Sequence, residues 1–296
     1  MILNFIILLF ISVFWGVGYL FVKVGEKSIP PVTEMVGRSL VAVVALVILC
    51  LILRKDLLGP IRKYKAFMLF SVLGITIPWL GIAISEEYIS SGLAAAMASS
   101  MPLFTFLITA LVIKTERFTI YGVAGLTVAL IGLVLVIGLD RIFGHDSSLL
   151  GVLIILGAFL SYATNGILVP IYAKDVDPFV TTTYAIGFGA VILIILAFIL
   201  EKPTMTALNT EVVLSLIGLG VVSTALGFSG YYLLIKRAGP FFASLLGYLA
   251  PVFGIIAGVV FLHEKIDGLQ IAGIIFVLLG LFLINKPKFD SLRKPG

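Results

Sequence analysis

Residues 101–132 read MPLFTFLITALVIKTERFTIYGVAGLTVALIG, and residues 250–280 read APVFGIIAGVVFLHEKIDGLQIAGIIFVLLG. Both stretches carry a proline at the middle of an apolar run, a glutamate just past its end, and two glycines seven apart in the next run. Pro102, Glu116, Gly125 and Gly132 thus pair with Pro251, Glu264, Gly273 and Gly280. The glutamates and glycines are offset by 148 residues and the prolines by 149. Nearer the start of each half, Trp15 pairs with Tyr162 and Pro31 with Pro178, both offset by 147. A fixed offset of this length marks an internal duplication.

What is duplicated is apolar. Of 296 residues, 61% are hydrophobic and only 12% charged, with a mean hydropathy of +1.23. A soluble domain carries roughly 25% charge and 45–50% apolar residues. The polar exterior of a water-soluble fold is therefore missing, and disorder is excluded because ample apolar surface is available to bury. Apolar runs fall at about 2–24, 32–53, 66–85, 91–113, 118–138, 149–172, 179–199, 211–235, 241–262 and 268–284. Each is near the ~20 residues that a helix needs to cross a bilayer. They are too long for the ~10-residue alternating strands of a membrane barrel. Backbone groups in lipid must pair within their own segment, so the runs are predicted as helices. The first run lacks a basic leader region and a cleavage site and is expected to be retained. The single cysteine, Cys50, says nothing about the redox compartment.

Charge gives the orientation. With the N-terminus on one side, that side receives 14 Lys and Arg residues and the other receives 5, with Arg38 inside a span. The positive-inside rule then places both termini in the cytoplasm, and the net charge of +5 reads as topology rather than a nucleic-acid footprint. Five spans per repeat is an odd number, so the second copy must lie upside down relative to the first. The predicted fold is an all-α membrane protein of ten transmembrane helices in two inverted five-helix repeats. The units are 1–140 and 147–285, followed by a basic cytoplasmic tail over 286–296. Inverted repeats are the architecture of many secondary transporters, with the site near mid-membrane between the halves.

The stretch Phe14-Trp15-Gly16, with Lys23, Pro31, Arg38 and Ala42, resembles the opening signature of EamA-like proteins of the drug/metabolite transporter superfamily. Ser91-Gly92-Leu93-Ala94-Ala95-Ala96 through Pro102, Glu116, Gly125 and Gly132 resembles that family's core signature. Ala243-Ser244 through Pro251, Glu264, Gly273 and Gly280 matches it a second time. The resemblance covers essentially the whole chain. It implies a ten-helix, 5+5 inverted-repeat carrier of small metabolites and leaves the substrate open among amino acids, other metabolites, nucleotide sugars and drugs.

Polar groups in lipid face the bundle interior. Ser12, Trp15, Gly16, Tyr19 and Lys23 share one helical face in the first span. Ser161, Tyr162 and Asn165 offer a comparable face in the sixth. These faces read either as cavity lining or as interhelical hydrogen bonding, with Trp15 and Asn165 favoured for the cavity. Tyr19 and Lys23 have interfacial anchoring as their alternative. Pro102 and Pro251 free the carbonyls of Ala98 and Gly247, flanked by Ser99 and Ser100 in one copy and by Ser244 and Tyr248 in the other. Both kinks are expected to bracket a common centre, the alternative being static kinks satisfied by neighbouring helices. Pro78 beside Trp79 adds a third kink and an aromatic wall. In the eighth span Thr224 and Tyr232 are placed toward the cavity. Arg38 reads chiefly as the partner of Glu34 four residues earlier; attracting an anionic or zwitterionic substrate is the sharper alternative. Glu116 and Glu264 read mainly as helix caps, with a gate role as the alternative.

No carboxylate lies near mid-membrane, so facilitated diffusion or exchange is expected rather than obligatory proton symport. The sequence carries no metal or cofactor constellation, no nucleotide-binding loop and no paired catalytic groups, so an enzyme is not expected. The expected partners are a small-molecule substrate and the lipid bilayer, without nucleic acid, for a monomer or weak homodimer in the cell inner membrane. The function predicted is export or exchange of small organic solutes, such as amino acids, by alternating access. The alternatives are broad drug efflux, and a lipid flippase or non-transporting scaffold.

Overall fold

The structure is a computed structural model that describes residues 2–25, 28–89, 97–98, 100–115, 119–137, 149–201, 209–262 and 268–293. Every element among these residues is helical. We label the rods α1 (Ile2–Gly25), α2 (Pro31–Ile52), α3 (Gly59–Glu86), α4 (Ser100–Val112) and α5 (Ile120–Ile137). The second half supplies α6 (Leu149–Tyr172), α7 (Pro178–Leu200) and α8 (Thr210–Ala238). It ends with α9 (Pro240–Ser244, then Leu246–Leu262) and α10 (Gly268–Arg293). Five of these, α2, α3, α6, α7 and α8, are long and apolar enough among the described residues to cross a membrane. The others contribute shorter apolar stretches. Two rods run beyond the apolar runs of the sequence: α3 begins at Gly59, and α10 continues through the basic segment to Arg293.

Local chemistry sets the helix starts. Pro31 and Pro178 open α2 and α7, where the missing N–H costs nothing. The Asp177 carboxylate accepts from Phe179 N at 2.9 Å and Asn209 Oδ1 accepts from Val212 N at 2.9 Å, capping α7 and α8. The start of α2 is capped from a distance: Glu201, just past α7, accepts from the backbone of Val32 and Thr33 at 2.7 Å each. At the other end of the same pair Lys55, just past α2, meets Asp177 at 2.7 Å. Gly239 turns the chain between α8 and α9 at φ +86°, a conformation only glycine adopts without strain.

The most extensive helix–helix interface joins α5 to α10, and its glycines explain why. A methyl group added at Gly125 would stand 2.7 Å from Gly280 O; one added at Gly132 would stand 2.7 Å from Gly273 O and 2.6 Å from Val277 N. Small residues let two backbones touch, which is how helices associate without a hydrophobic drive. The pairing has a direction. As α5 climbs from 125 to 132, its partners on α10 fall from 280 to 273, so the two rods run antiparallel. Because 125 corresponds to 273 and 132 to 280, each contact is the other with the repeats exchanged, as a two-fold axis requires.

The same exchange operates elsewhere. Ser223 of α8 donates to Phe14 O of α1 at 2.8 Å, while Ser161 of α6 donates to Leu73 O of α3 at 2.8 Å. The segments that receive these crossings are both π-helical, Val72–Thr76 in α3 and Gly218–Leu226 in α8. Such widened turns are frequent at functional sites.

The prolines sit close to where the sequence places them. Pro102 lies in the first turn of described α4, and Pro78 lies at the first turn after the α3 π segment. The helix runs through Pro251; the break in α9 falls earlier, at Leu245. The positions whose carbonyls Pro102 and Pro251 are expected to free lie side by side, a methyl at Gly247 standing 2.8 Å from Ala98 O, but the Ala98 carbonyl is not free: it accepts from Met101 N at 3.1 Å.

Candidate functional site

Two cavities open toward opposite ends of the bundle. The first lies where α1 ends, α2 begins and α3 ends. It has a volume of about 180 Å³ and is lined by Trp15, Glu34, Arg38, Trp79, Glu86, Tyr162 and Phe228, among others. We call this end the acid face. The second lies where α6 ends, α7 begins and α8 ends. Its volume is about 270 Å³, and its lining includes Val169, Pro170, Lys174, Thr181, Tyr232 and Lys236. We call that end the lysine face. The cavities are counterparts in the duplication: Val22 and Val169, like Pro31 and Pro178, are offset by 147 residues and line one cavity each.

An aromatic septum separates them. Trp15 packs on Phe228 at 5.1 Å between ring centroids, on Tyr231 at 5.8 Å and on Tyr162 at 6.3 Å. Trp79 meets Phe228 edge-on at 6.1 Å, and Phe228 reaches Tyr232 at 6.4 Å. Trp15 and Tyr162 are repeat counterparts; Trp79 and Phe228 are too, at the 149 offset that the prolines show. Counterparts that touch must lie near the axis relating the halves. The septum therefore sits at the centre of the duplication. Each such ring pair adds about 0.5–1.5 kcal/mol beyond its buried area.

Arg38 is the charged group of the septum. Its Nε and Nη2 donate to Thr224 Oγ1 at 3.1 and 3.0 Å, and its guanidinium carbon lies 4.0 Å from the centre of the Trp79 ring. The cation is thus held by a ring face and by a neutral hydroxyl of the other repeat. Glu34 lies one turn earlier and is buried, at 4% exposure. Asn165, fully buried, donates from Nδ2 to the Tyr232 hydroxyl at 3.1 Å. Gly74 in the α3 π segment makes room for it: a methyl there would stand 2.5 Å from Nδ2. Asn165 Oδ1 and Trp15 Nε1 are buried without a hydrogen-bond partner among the described residues. Leaving a buried polar group unsatisfied costs about 1–3 kcal/mol.

The structure thus brings together Trp15, Arg38, Trp79, Tyr162, Asn165, Thr224 and Tyr232, with Glu34 beside them. Pro78, also buried, directly precedes Trp79. Ser100 and Ser244 are satisfied within their own turns, by Met97 O at 2.6 Å and Phe241 O at 2.7 Å. The Tyr248 hydroxyl points to Leu126 O of α5 at 3.4 Å. None of these three lines either cavity. Ser99, Glu116 and Glu264 lie outside the described residues, as does the side chain of Tyr19. Sequence reasoning gave no role to Phe228, Tyr231 or the lysine pair. The 228, 231, 232, 235 spacing, one helical face, was the available signal.

A sequence model of the EamA-like transporter family matches residues 3–138 and, a second time, residues 149–286. The chain belongs to this family. EamA-like relatives align along nearly their whole length. An uncharacterized transporter of Bacillus subtilis, YoaV, is 26% identical over 92% of this chain and 93% of its own. A probable amino-acid metabolite efflux pump of Escherichia coli is 25% identical over 94% and 93%. A solved crystal structure at 17% identity matches 95% of this chain and 98% of its own with a TM-score of 0.80, a likeness of fold alone. The chain is therefore a membrane transporter of the EamA-like family, built of apolar helices.

Proposed function

We propose that this EamA-like protein is a ten-span carrier, built as two oppositely oriented repeats over 1–140 and 147–285. It moves zwitterionic solutes with apolar side chains, hydrophobic amino acids first among them, by alternating access. It works as a secondary transporter and not an enzyme, in the cell inner membrane, as a monomer or weak homodimer. Inversion is supported by the antiparallel, two-fold contact of Gly125 with Gly280 and Gly132 with Gly273. The surplus of Lys and Arg around the lysine face supports a cytoplasmic position for that face and for both termini. The cavity at the acid face then opens outward and the septum closes the inner route.

The observation that carries the substrate reading is Arg38. A guanidinium stacked on Trp79 and bonded only to a threonine hydroxyl among the described residues suits a solute carboxylate. Trp15, Tyr162 and Phe228 around it suit an apolar side chain. The unpaired Asn165 Oδ1 and Trp15 Nε1 support a second arrangement of the septum in which solute or water satisfies them. The name of the Escherichia coli relative, a probable amino-acid metabolite efflux pump, agrees with this reading.

The experiment is counterflow in proteoliposomes with radiolabelled L-leucine and L-phenylalanine, against 3-methylbutylamine, which lacks the carboxylate. The amino acids should exchange, with or without a pH gradient, and the amine should not compete. Equal competition by the amine would overturn the carboxylate reading. Strict dependence on the gradient would overturn the expectation of facilitated diffusion or exchange.

A further inference from the structure

The cavity at the lysine face has a charge arrangement that the central site does not explain. Two carboxylates, Asp175 and Asp177, alternate along the chain with the lining residues Lys174, Val176 and Pro178, and both are engaged. Asp175 is bonded by Lys63, which holds its carboxyl below the usual aspartate range. Asp177 is taken by Lys55 at 2.7 Å while it caps α7. Lys174 and Lys236 remain. Lys236 Nζ donates to Val176 O at 3.1 Å and attracts Asp175 without forming an ion pair with it, and Lys174 has no partner among the described residues. The mouth therefore carries two cations beyond those its carboxylates neutralise. The floor adds a donor. The Tyr232 oxygen accepts from Asn165, so the phenol proton is left without an acceptor among the described residues. Val169, Pro170 and Ile235 make the remaining wall apolar.

We infer that this cavity is a second binding site, which takes the carboxylate of an apolar organic acid or amino acid at Lys174 and Lys236. Its apolar remainder lies against Val169, Pro170 and Ile235. Two lysines at a partly enclosed mouth concentrate an anion, and the apolar wall selects among anions for those with a hydrocarbon tail. The role of this site as the loading station for the septum rests on the carrier reading above; the binding itself does not.

The test uses the full chain in phosphatidylcholine nanodiscs. Lysines are acetylated with an activated acetate ester, and the rates at Lys174, Lys236 and the exposed Lys65 are read by mass spectrometry. The probe is 3-methylbutanoate, with 3-methylbutanol as its uncharged counterpart. At twice its dissociation constant the carboxylate should slow Lys174 and Lys236 about threefold, leaving Lys65 unchanged, and the alcohol should slow none. Equal effects of acid and alcohol, or no protection up to saturation of the probe, would overturn the inference. Slowing by phosphatidylglycerol in the disc without any probe would give the site to a lipid headgroup and overturn it as well. The chain's two tryptophans both line the other cavity, so their fluorescence reads that site separately. In Arg38→Ala the tryptophan response should vanish while lysine protection persists; loss of both would mean that protection is transmitted from the septum and that no second site exists. Because acetylation needs no transport, failure of counterflow alone removes the carrier reading and leaves this result standing.

Discussion

Val22 lines the cavity at the acid face and Val169 the cavity at the lysine face, at matching places in the two repeats. Pro31 and Pro178 match in the same way. Around that shared frame the charges differ. Glu34 corresponds to Thr181 and Arg38 to Ala185, at the 147 offset; Glu87 corresponds to Lys236 at 149. The two cavities thus share backbone positions in the repeats and differ in charge. Glycines and prolines carry the shape because they act through the backbone. Charged side chains carry the difference because they can change without moving a helix. The acid-face cavity offers one guanidinium deep in an aromatic shell, with Glu34 and Glu86 in its wall; the lysine-face cavity offers two ammonium groups at its rim.

The comparison can be broken most severely at the frame. Gly132→Leu drives a side chain into the backbone of Gly273 and Val277, which cannot give way. Overpacking of this kind costs about 3 kcal/mol or more where backbone must move, so loss of the folded protein in size-exclusion chromatography is expected. Gly187→Ala, with nothing within 4 Å of the added methyl, should leave the melting temperature unchanged or raised. Similar losses in both would detach the frame from the glycine contacts.

Next comes the difference in charge. Arg38→Ala should lower counterflow of L-leucine about 10- to 100-fold, the equivalent of one charge-assisted hydrogen bond of about 1.5–3 kcal/mol. The folded protein should remain monodisperse. Activity within twofold of the parent would remove Arg38 from the site. A smaller loss is expected at the septum: Asn165→Ala removes a neutral hydrogen bond to Tyr232 worth about 1 kcal/mol, about fivefold in rate. Trp15→Ala should likewise impair counterflow without unfolding.

The smallest effect tests the link between helix ends. The hydrogen bond to Asp177 raises the Lys55 pKa above its ordinary 10.5. A raised folded value means that the stabilisation is present below the ordinary lysine pKa and is lost as pH rises through the folded value. Thermal unfolding of Lys55→Met should therefore match the parent at the most alkaline pH tolerated and fall slightly below it at neutral pH. The pair is partly open to solvent, so the gap is small. A gap that widens on the alkaline side would contradict the sign.

Much of this was legible in the sequence because it is written in spacing. Glycines offset by 148 residues announce the frame, and Gly125 and Gly132 indeed meet Gly280 and Gly273. Ala98 and Gly247, each four residues before its proline, do lie side by side, but the Ala98 carbonyl accepts from Met101 N and is not freed. Contacts between distant helices are not written in spacing. Sequence pairs Arg38 first with Glu34, one turn away, whose charge does attract it; what spacing cannot show is that Thr224 of the other repeat accepts its hydrogen bonds. Ser244 and Tyr248 share a face with Pro251, yet Ser244 bonds Phe241 O of its own turn and Tyr248 reaches Leu126 O of α5. The π segments of α3 and α8 have no composition of their own; the glycine that admits Asn165 is recognisable only once α6 is packed against it.

The central claim is that the two repeats lie in the bilayer with opposite orientation. Ser28, in the α1–α2 link, and Asp175, in the α6–α7 link, are counterparts at the 147 offset. With Cys50 replaced by serine, Ser28→Cys and Asp175→Cys can be labelled one at a time with a membrane-impermeant maleimide in intact cells and in inverted vesicles. Labelling of position 28 only from outside and of position 175 only from the cytoplasm is the predicted result. Labelling of both positions from one compartment would contradict it.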